Sequence, residues 1–144
     1  SIDLGGRDIE LHYVGANHKD NSTVVFVPDV RVAFAVDFVS NDRPGYQDMG
    51  TWIFPDFFES VTSLLEIDFE TMVFGHGPAG DRAAIHRQIR YYDQLRSEVR
   101  KALDAGWSEE RAMEEIRLPE YSGWTQYDAW FPLNVGAIYR WMAG

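Results

Sequence analysis

The feature that most limits the possible folds of this chain is a series of short strand-like runs separated by turn residues. Asp8 to Val14 alternates between polar and apolar residues, whereas Thr23 to Val27 and Arg31 to Val36 are continuous β-branched and aromatic runs. Pro28 and Asp29 separate the second run from the third, as expected of a turn. The pattern predicts three neighbouring antiparallel strands.

After these strands the periodicity becomes helical. Asn41 to Gly50 is rich in Asn, Asp, Pro and Gly and predicts a loop. Pro55 and Asp56 then suit the first turn of a helix whose apolar stripe has the spacing of a core-facing side. That stripe consists of Phe57, Phe58, Val61, Leu64 and Leu65.

Thr71 to Phe74 predicts a further short strand, and three helices follow it. Asp81 can cap a long helix that Gly106 ends, and Ser108 with the two glutamates after it can start the next. A final helix is predicted from about Pro132 to Met142. The apolar side of the long helix carries Ile85, Ile89, Tyr92, Leu95, Val99 and Leu103.

Length and composition restrict the class of protein. The 144 residues predict a single domain over 1–144, and 45% hydrophobic residues are typical of a globular chain. The net charge of -10 disfavours nucleic acid as a partner, because its phosphates would be repelled. No apolar run approaches the roughly 20 residues of a membrane span. We therefore expect a soluble protein without membrane insertion, and the cytoplasm if a compartment has to be chosen.

The chain has no cysteine, which excludes disulfides and thiolate metal sites. Any metal has to be held by His, Asp or Glu. Ser1 to Arg7 predicts a strand, a glycine turn and the start of the next strand, rather than a signal peptide. Because the chain lacks an initiator Met, we expect it to be the middle of a larger gene product.

Three side chains that can bind a metal lie at the ends of predicted strands. His18 closes the segment Gly15-Ala16-Asn17-His18, Asp37 follows an apolar strand, and His76 lies in the turn Gly75-His76-Gly77-Pro78. Strand ends hold ligands rigidly, and glycines beside them let the backbone approach closely. A catalytic zinc takes His nitrogens and carboxylate oxygens, so these three residues are the candidate metal ligands.

Each candidate ligand also has an ordinary structural interpretation. His18 could be a loop histidine, His76 could stabilise its turn, and Asp37 could accept hydrogen bonds from backbone amides at the strand end. The common order, with intervals of 19 and 39 residues, is harder to explain by three separate coincidences. The other histidines are weaker candidates: we expect His12 to be an ordinary strand residue and His86 to face solvent on the long helix.

In order and context the three segments resemble the later metal ligands of the metallo-β-lactamase superfamily. Residues 1–105 look like the second half of that fold, and 106–144, with Leu118-Pro119 through Asn134-Val135, look like a helical C-terminal extension of one bacterial branch. The resemblance implies an α/β (α+β) chain, half of an αββα sandwich with a mostly antiparallel sheet packed on helices. It also implies that His18 binds the first metal, Asp37 bridges both metals and His76 binds the second.

The chain departs from the family pattern in two places. The family has Thr-x-Gly-Asp after the first His, whereas Lys19-Asp20-Asn21-Ser22 stands here and alters the surroundings of the metal. The first-half motif His-x-His-x-Asp-His, which would supply the remaining ligands and the Asp that orients the water, does not occur in the 144 residues. The complete fold would hold two zinc ions. We therefore expect zero or one zinc in this chain alone, little catalysis, and no catalytic residue that can be assigned.

The function implied by the resemblance is metal-dependent hydrolysis, in which metal-bound hydroxide attacks a small ester, thioester or lactone-like substrate. Tyr46 and Trp52 are the candidate walls of the substrate pocket. The expected partner is the missing N-terminal half, or a second copy of the same chain in a homodimer. The alternative is a non-catalytic, self-associating half-domain with a structural or binding role, because a lone half would expose an apolar sheet face.

Overall fold

A computed structural model describes residues 1–3 and 5–144 of the chain. Leu4, which the sequence assigns to the first strand and its turn, lies outside the described residues. The structure divides into two compact units. The first contains residues 1–41 and 51–89, and the second contains residues 42–50 and 90–144. Within the described part of the chain, no helix is both long and apolar enough to cross a membrane.

The first unit is built on a five-stranded sheet. Its strands lie side by side in chain order and are β1 (Ile2–Asp3), β2 (Asp8–Tyr13), β3 (Thr23–Val27), β4 (Val32–Ala35) and β5 (Thr71–Phe74). The pairs β1–β2, β2–β3 and β3–β4 are antiparallel, which confirms the three predicted neighbouring strands. β5 pairs with β4 in parallel, because a long connection with a helix brings the chain back to the same end.

Helix α1 (Asp56–Ser63) follows Pro55, as predicted, and continues into a 3₁₀ turn at Leu64–Glu66. It buries Phe57, Phe58 and Val61, the first part of the predicted stripe. The sheet also buries an apolar set: Val24, Phe26, Ala33, Ala35, Met72 and Phe74. Alternation along each strand places these residues on one face.

Helix α2 (Arg82–Asp104) has both of its predicted ends. Oδ1 of Asp81 accepts a hydrogen bond from the backbone N–H of Ala84 at 3.1 Å. At the other end Gly106 has a φ of 68°, and its N–H donates to the carbonyl of Leu103. The N–H of Trp107 donates to the carbonyl of Ala102. This pair of bonds is the usual ending of a helix at a left-handed glycine.

The second unit contains the rest of α2, α3 (Glu109–Glu115) and α4 (Tyr127–Ala143). Oγ of Ser108 caps α3, as predicted, by accepting from the N–H of Arg111 at 3.3 Å. The predicted start of the last helix near Pro132 is wrong, since α4 begins at Tyr127 and has Pro132 inside it. The hydroxyl of Tyr127 bonds both backbone groups of Leu118. Such tertiary contacts offset the hydrogen bond that an internal proline removes.

Candidate metal centre

The parallel pairing of β4 and β5 determines which residues meet beyond the strands. Paired residues differ by 39 in number along the whole ladder, which ends with Ala35 opposite Phe74. The N–H of Gly75 donates to the carbonyl of Ala35 at 3.1 Å and extends the pairing by one step. The same offset brings Asp37 beside His76. The interval of 39 residues seen in the sequence is therefore the register of this strand pair.

The side chains of Asp37 and His76 meet at this end of the sheet. Nε2 of His76 lies 3.0 Å from Oδ1 of Asp37. The side chain of Asp37 is 46% exposed and that of His76 is 62% exposed. The two polar atoms thus form a close pair that solvent or a ligand can reach.

The backbone of Asp37 explains why its carboxylate is not buried. Regular alternation would place Asp37 on the same face as Ala33 and Ala35, which are buried. Instead the φ of Asp37 is 72°, in the left-handed region. Asp tolerates this conformation better than most residues. The chain therefore does not continue the extended conformation of β4 at Asp37, and the carboxylate reaches the exposed edge beside His76.

His18 lies on the loop between β2 and β3, where it contacts other groups. Its backbone N–H donates to Oδ1 of Asn17 at 2.7 Å, and its ring meets the ring of Trp52 edge-on at 6.3 Å. Among residues 1–3 and 5–144, no three His, Asp or Glu side chains converge into a group that could hold a metal ion. The structure therefore brings Asp37 and His76 together and does not add His18 to them.

Asn17 holds this loop in place, and sequence reasoning did not single it out. Asn17 is fully buried, and its Nδ2 donates to Oγ of Ser60 on α1 at 2.8 Å. Its carbonyl accepts from the N–H of Ile53 at 2.8 Å. A buried amide in a loop is satisfied only by specific partners. The position of His18 thus depends on hydrogen bonds from Asn17 to distant parts of the first unit.

The donor chemistry of the Asp37–His76 pair fits part of a zinc site. Two ligands of a tetrahedral zinc with bonds of about 2.05 Å are separated by about 3.3 Å. The 3.0 Å between Nε2 and Oδ1 is the distance of a direct hydrogen bond and is slightly shorter than that separation. Zinc sites commonly use three or four protein ligands, so the pair would be a partial set. His18, Asp37 and His76 as metal ligands stay a prediction.

The two predicted pocket residues lie in different units. Trp52 belongs to the first unit, where its ring centroid lies 4.4 Å from that of Phe57. Tyr46 belongs to the second unit and is exposed, with its ring edge-on to Trp130 at 5.1 Å. Their role as pocket walls remains a prediction.

The loop that carries Tyr46 is fixed by a buried residue of α4. Nδ2 of Asn134 donates to the carbonyls of Gly45 and Gln47 at 2.9 and 2.8 Å, and its Oδ1 accepts from the hydroxyl of Tyr91 at 3.1 Å. Asn134 follows Leu133 and precedes Val135, so a polar residue within an apolar helical run is the signal that could have identified it.

The other histidines have the predicted surroundings. His12 on β2 places Nε2 2.8 Å from a carboxylate oxygen of Glu10, and its ring meets Phe26 edge-on. His86 is exposed on α2. Neither observation makes them candidate ligands.

Sequence comparison finds no family model and no curated protein that matches the chain. Structural comparison does find similar proteins. A metallo-β-lactamase from Pontibacter korlensis has a TM-score of 0.53 at 21% identity, covering 62% of this chain and 43% of its own. The DIM-1 metallo-β-lactamase has a TM-score of 0.52 at 27% identity, with 57% and 40% covered. A metallo-β-lactamase from Erythrobacter litoralis, solved with β-mercaptoethanol in the active site, has a TM-score of 0.52 at 20% identity, with 60% and 39% covered.

The chain spans about 40% of the length of these solved structures. The matched region covers about 60% of the chain itself. The predicted fold class, a mostly antiparallel sheet with helices that resembles half of this sandwich, is confirmed by the likeness. The chain therefore has part of the metallo-β-lactamase fold.

Proposed function

We propose that this chain supplies the later ligands of a two-zinc hydrolase site whose remaining ligands come from another polypeptide segment. The observation that carries the proposal is the Asp37–His76 pair, whose side chains lie 3.0 Å apart beyond the ends of the parallel strands β4 and β5, in a partial metallo-β-lactamase fold. By the family resemblance, His76 would bind the second metal, Asp37 would bridge both, and His18 would bind the first.

The proposed substrate is a small ester, thioester or lactone-like molecule. Bound zinc supplies polarisation of the scissile bond and a lowered pKa of water. His76 would offer a neutral nitrogen and Asp37 an anionic oxygen, and both must be deprotonated to do so. The net charge of -10 disfavours a polyanionic substrate.

A row of exposed and half-buried apolar residues on the sheet supports the proposal that a binding partner covers this face. Leu11 pairs with Val25, Val25 with Phe34, and Phe34 with Val73, so one face carries the row across four strands. Leu11 is 53% exposed, Phe34 40% and Val73 37%. Contiguous apolar surface of this kind marks interaction sites. The proposed partner is an N-terminal half of the fold.

The same apolar face favours a second candidate function. A second copy of the chain could cover it, giving a homodimeric half-domain with a structural or binding role and no turnover. The two candidates differ in what accompanies the chain. The first requires a different polypeptide and bound zinc, and the second requires only this chain.

Native mass spectrometry combined with zinc analysis separates the two candidates. The samples are the protein as purified, His76→Ala, Asp37→Asn and, as the matched control, His86→Ala. The hydrolase proposal expects zinc that is lost in His76→Ala and reduced in Asp37→Asn but kept in His86→Ala. Twice the chain mass without zinc would contradict it and support the homodimer.

A further inference from the structure

Gly75 makes a very close approach to Val36 on the neighbouring strand end. A Cβ placed on Gly75 would lie 2.0 Å from Cγ2 of Val36, 2.9 Å from its Cβ and 3.2 Å from its Cα. Real Cβ atoms are essentially never found within 3.0 Å of another heavy atom. Any other residue at position 75 would therefore have to move Val36 or its backbone.

The need for glycine at this position is steric. Gly77, the other glycine of the turn, has a φ of 95°, a conformation that favours glycine for backbone reasons. Gly75 is not among the residues with positive φ. The two glycines beside His76 thus differ: Gly77 permits the turn, and Gly75 leaves room for Val36.

The contact lies one residue before the candidate ligands on both strands. Asp37 follows Val36, and His76 follows Gly75, with the same register offset of 39. The hydrogen bond from the N–H of Gly75 to the carbonyl of Ala35, 3.1 Å long, holds the two backbones together at this level. A displacement of Gly75 from Val36 would therefore be passed directly to the next pair of residues.

We propose that Gly75 is a positioning residue, whose missing side chain lets the ends of β4 and β5 close until Asp37 and His76 meet. Its consequence for metal binding rests on the proposed function, whereas the separation of the two side chains is a property of the chain alone. Rotation of the exposed Val36 side chain cannot relieve the contacts to its Cβ and Cα, so an added methyl group on residue 75 is relieved by movement of the strand ends.

The test uses Gly75→Ala, Val36→Ala and the double variant Gly75→Ala/Val36→Ala, with Gly123→Ala as the matched control. A Cβ on Gly123 would meet nothing within 4 Å, so this change adds the same methyl group without a clash. In the double variant the nearest contact rises from 2.0 to 2.9 Å, which relieves most of the overlap but not all of it. Circular dichroism checks that each variant folds.

Two properties of each variant are measured. The first is the affinity for zinc alone by calorimetry. The second is the long-range ¹H–¹⁵N spectrum of the His76 imidazole without metal, which reports whether Nε2 still bonds to Asp37. We expect Gly75→Ala to weaken zinc binding by about ten- to a hundredfold, the range seen when groups around a ligand are lost, and to change the imidazole spectrum. The double variant should be intermediate, and Val36→Ala and Gly123→Ala should resemble the unchanged chain.

Unchanged zinc affinity and an unchanged imidazole spectrum in Gly75→Ala would overturn the inference. The inference would also be overturned if Gly75→Ala lost zinc affinity and the double variant lost just as much. If Gly75→Ala fails to fold, the double variant is compared with Val36→Ala alone, and identical imidazole spectra would overturn it. If the unchanged chain alone binds no zinc, which its partial ligand set allows, the imidazole spectra alone decide the role of Gly75, and the proposed function is decided by the native mass and zinc measurements on the protein as purified.

Discussion

Replacing Asn17 with alanine should destabilise the first unit through the loop that carries His18. The Asn17 side chain donates to Oγ of Ser60 at 2.8 Å and to the carbonyl of Gly15 at 3.3 Å, and it accepts from the N–H of His18 at 2.7 Å. Alanine removes all three hydrogen bonds. Because Asn17 is fully buried, water cannot replace its amide without opening the loop.

The expected cost of Asn17→Ala follows from these three bonds. A typical intramolecular hydrogen bond contributes about 1 kcal/mol net, which gives a loss of about 3 kcal/mol in the free energy of unfolding. For a chain of this size, 1 kcal/mol corresponds to about 3 °C, so the melting temperature should fall by about 9 °C. Ser60→Ala removes one of the three bonds and should cost about 1 kcal/mol.

Thermal unfolding followed by circular dichroism measures these effects. Asn21→Ala is the matched control, because Asn21 is exposed on the same loop. The double variant Asn17→Ala/Ser60→Ala should lose about 1 kcal/mol less than the sum of the single variants, since both remove the same bond. A fall in melting temperature below about 2 °C for Asn17→Ala, or strict additivity in the double variant, would refute the reasoning.

Two further changes test other contacts. Arg82→Lys should lower the free energy of unfolding by about 1 to 2 kcal/mol. The Arg82 guanidinium donates to the carbonyls of Ile67 and Leu65 at 2.8 and 2.6 Å, and one ammonium cannot replace both bonds. Urea unfolding measures the effect with Arg100→Lys as the control, and equal stability of the two variants would contradict this expectation. Burial raises the pKa of Tyr91 and Tyr92 well above the usual value of a tyrosine. Above about pH 10 the unfolded chain therefore releases protons that the folded chain keeps. The free energy of unfolding should then fall by up to about 1.4 kcal/mol per pH unit for each tyrosine. In urea titrations at alkaline pH, Tyr91→Phe should reduce this dependence of stability on pH, whereas the control Tyr13→Phe, at an exposed tyrosine, should not. Equal pH dependence in the two variants would be inconsistent with the buried hydroxyl as the cause.

Local signals in the sequence were sufficient for most element boundaries. Asp81 and Gly106 mark the ends of α2 because each forms its cap with residues only a few positions away. Pro132 was misleading for the opposite reason. The helix begins before Pro132, at Tyr127, whose hydroxyl bonds Leu118 in a contact that no helical periodicity reveals.

The candidate site was only partly accessible from sequence. Asp37 and His76 could be chosen by residue type, but their meeting depends on β5 joining β4 in parallel, which is a long-range pairing. The left-handed backbone of Asp37 likewise has no marker such as an adjacent glycine. Asn17 looks like an ordinary loop residue until Ser60 is known to face it. Contacts between residues that are distant in sequence can be identified only from the structure.

The bonds from Asn134 to the loop at 42–50 have a consequence for the order of folding. They join residues separated by 87 and 89 positions, so their formation closes a large part of the chain. Contacts of such separation form late, because the entropy of closing the intervening chain must be overcome first. During synthesis the loop emerges well before α4, the helix that carries Asn134. Tyr46 therefore reaches its final setting only when nearly the whole described chain has been made.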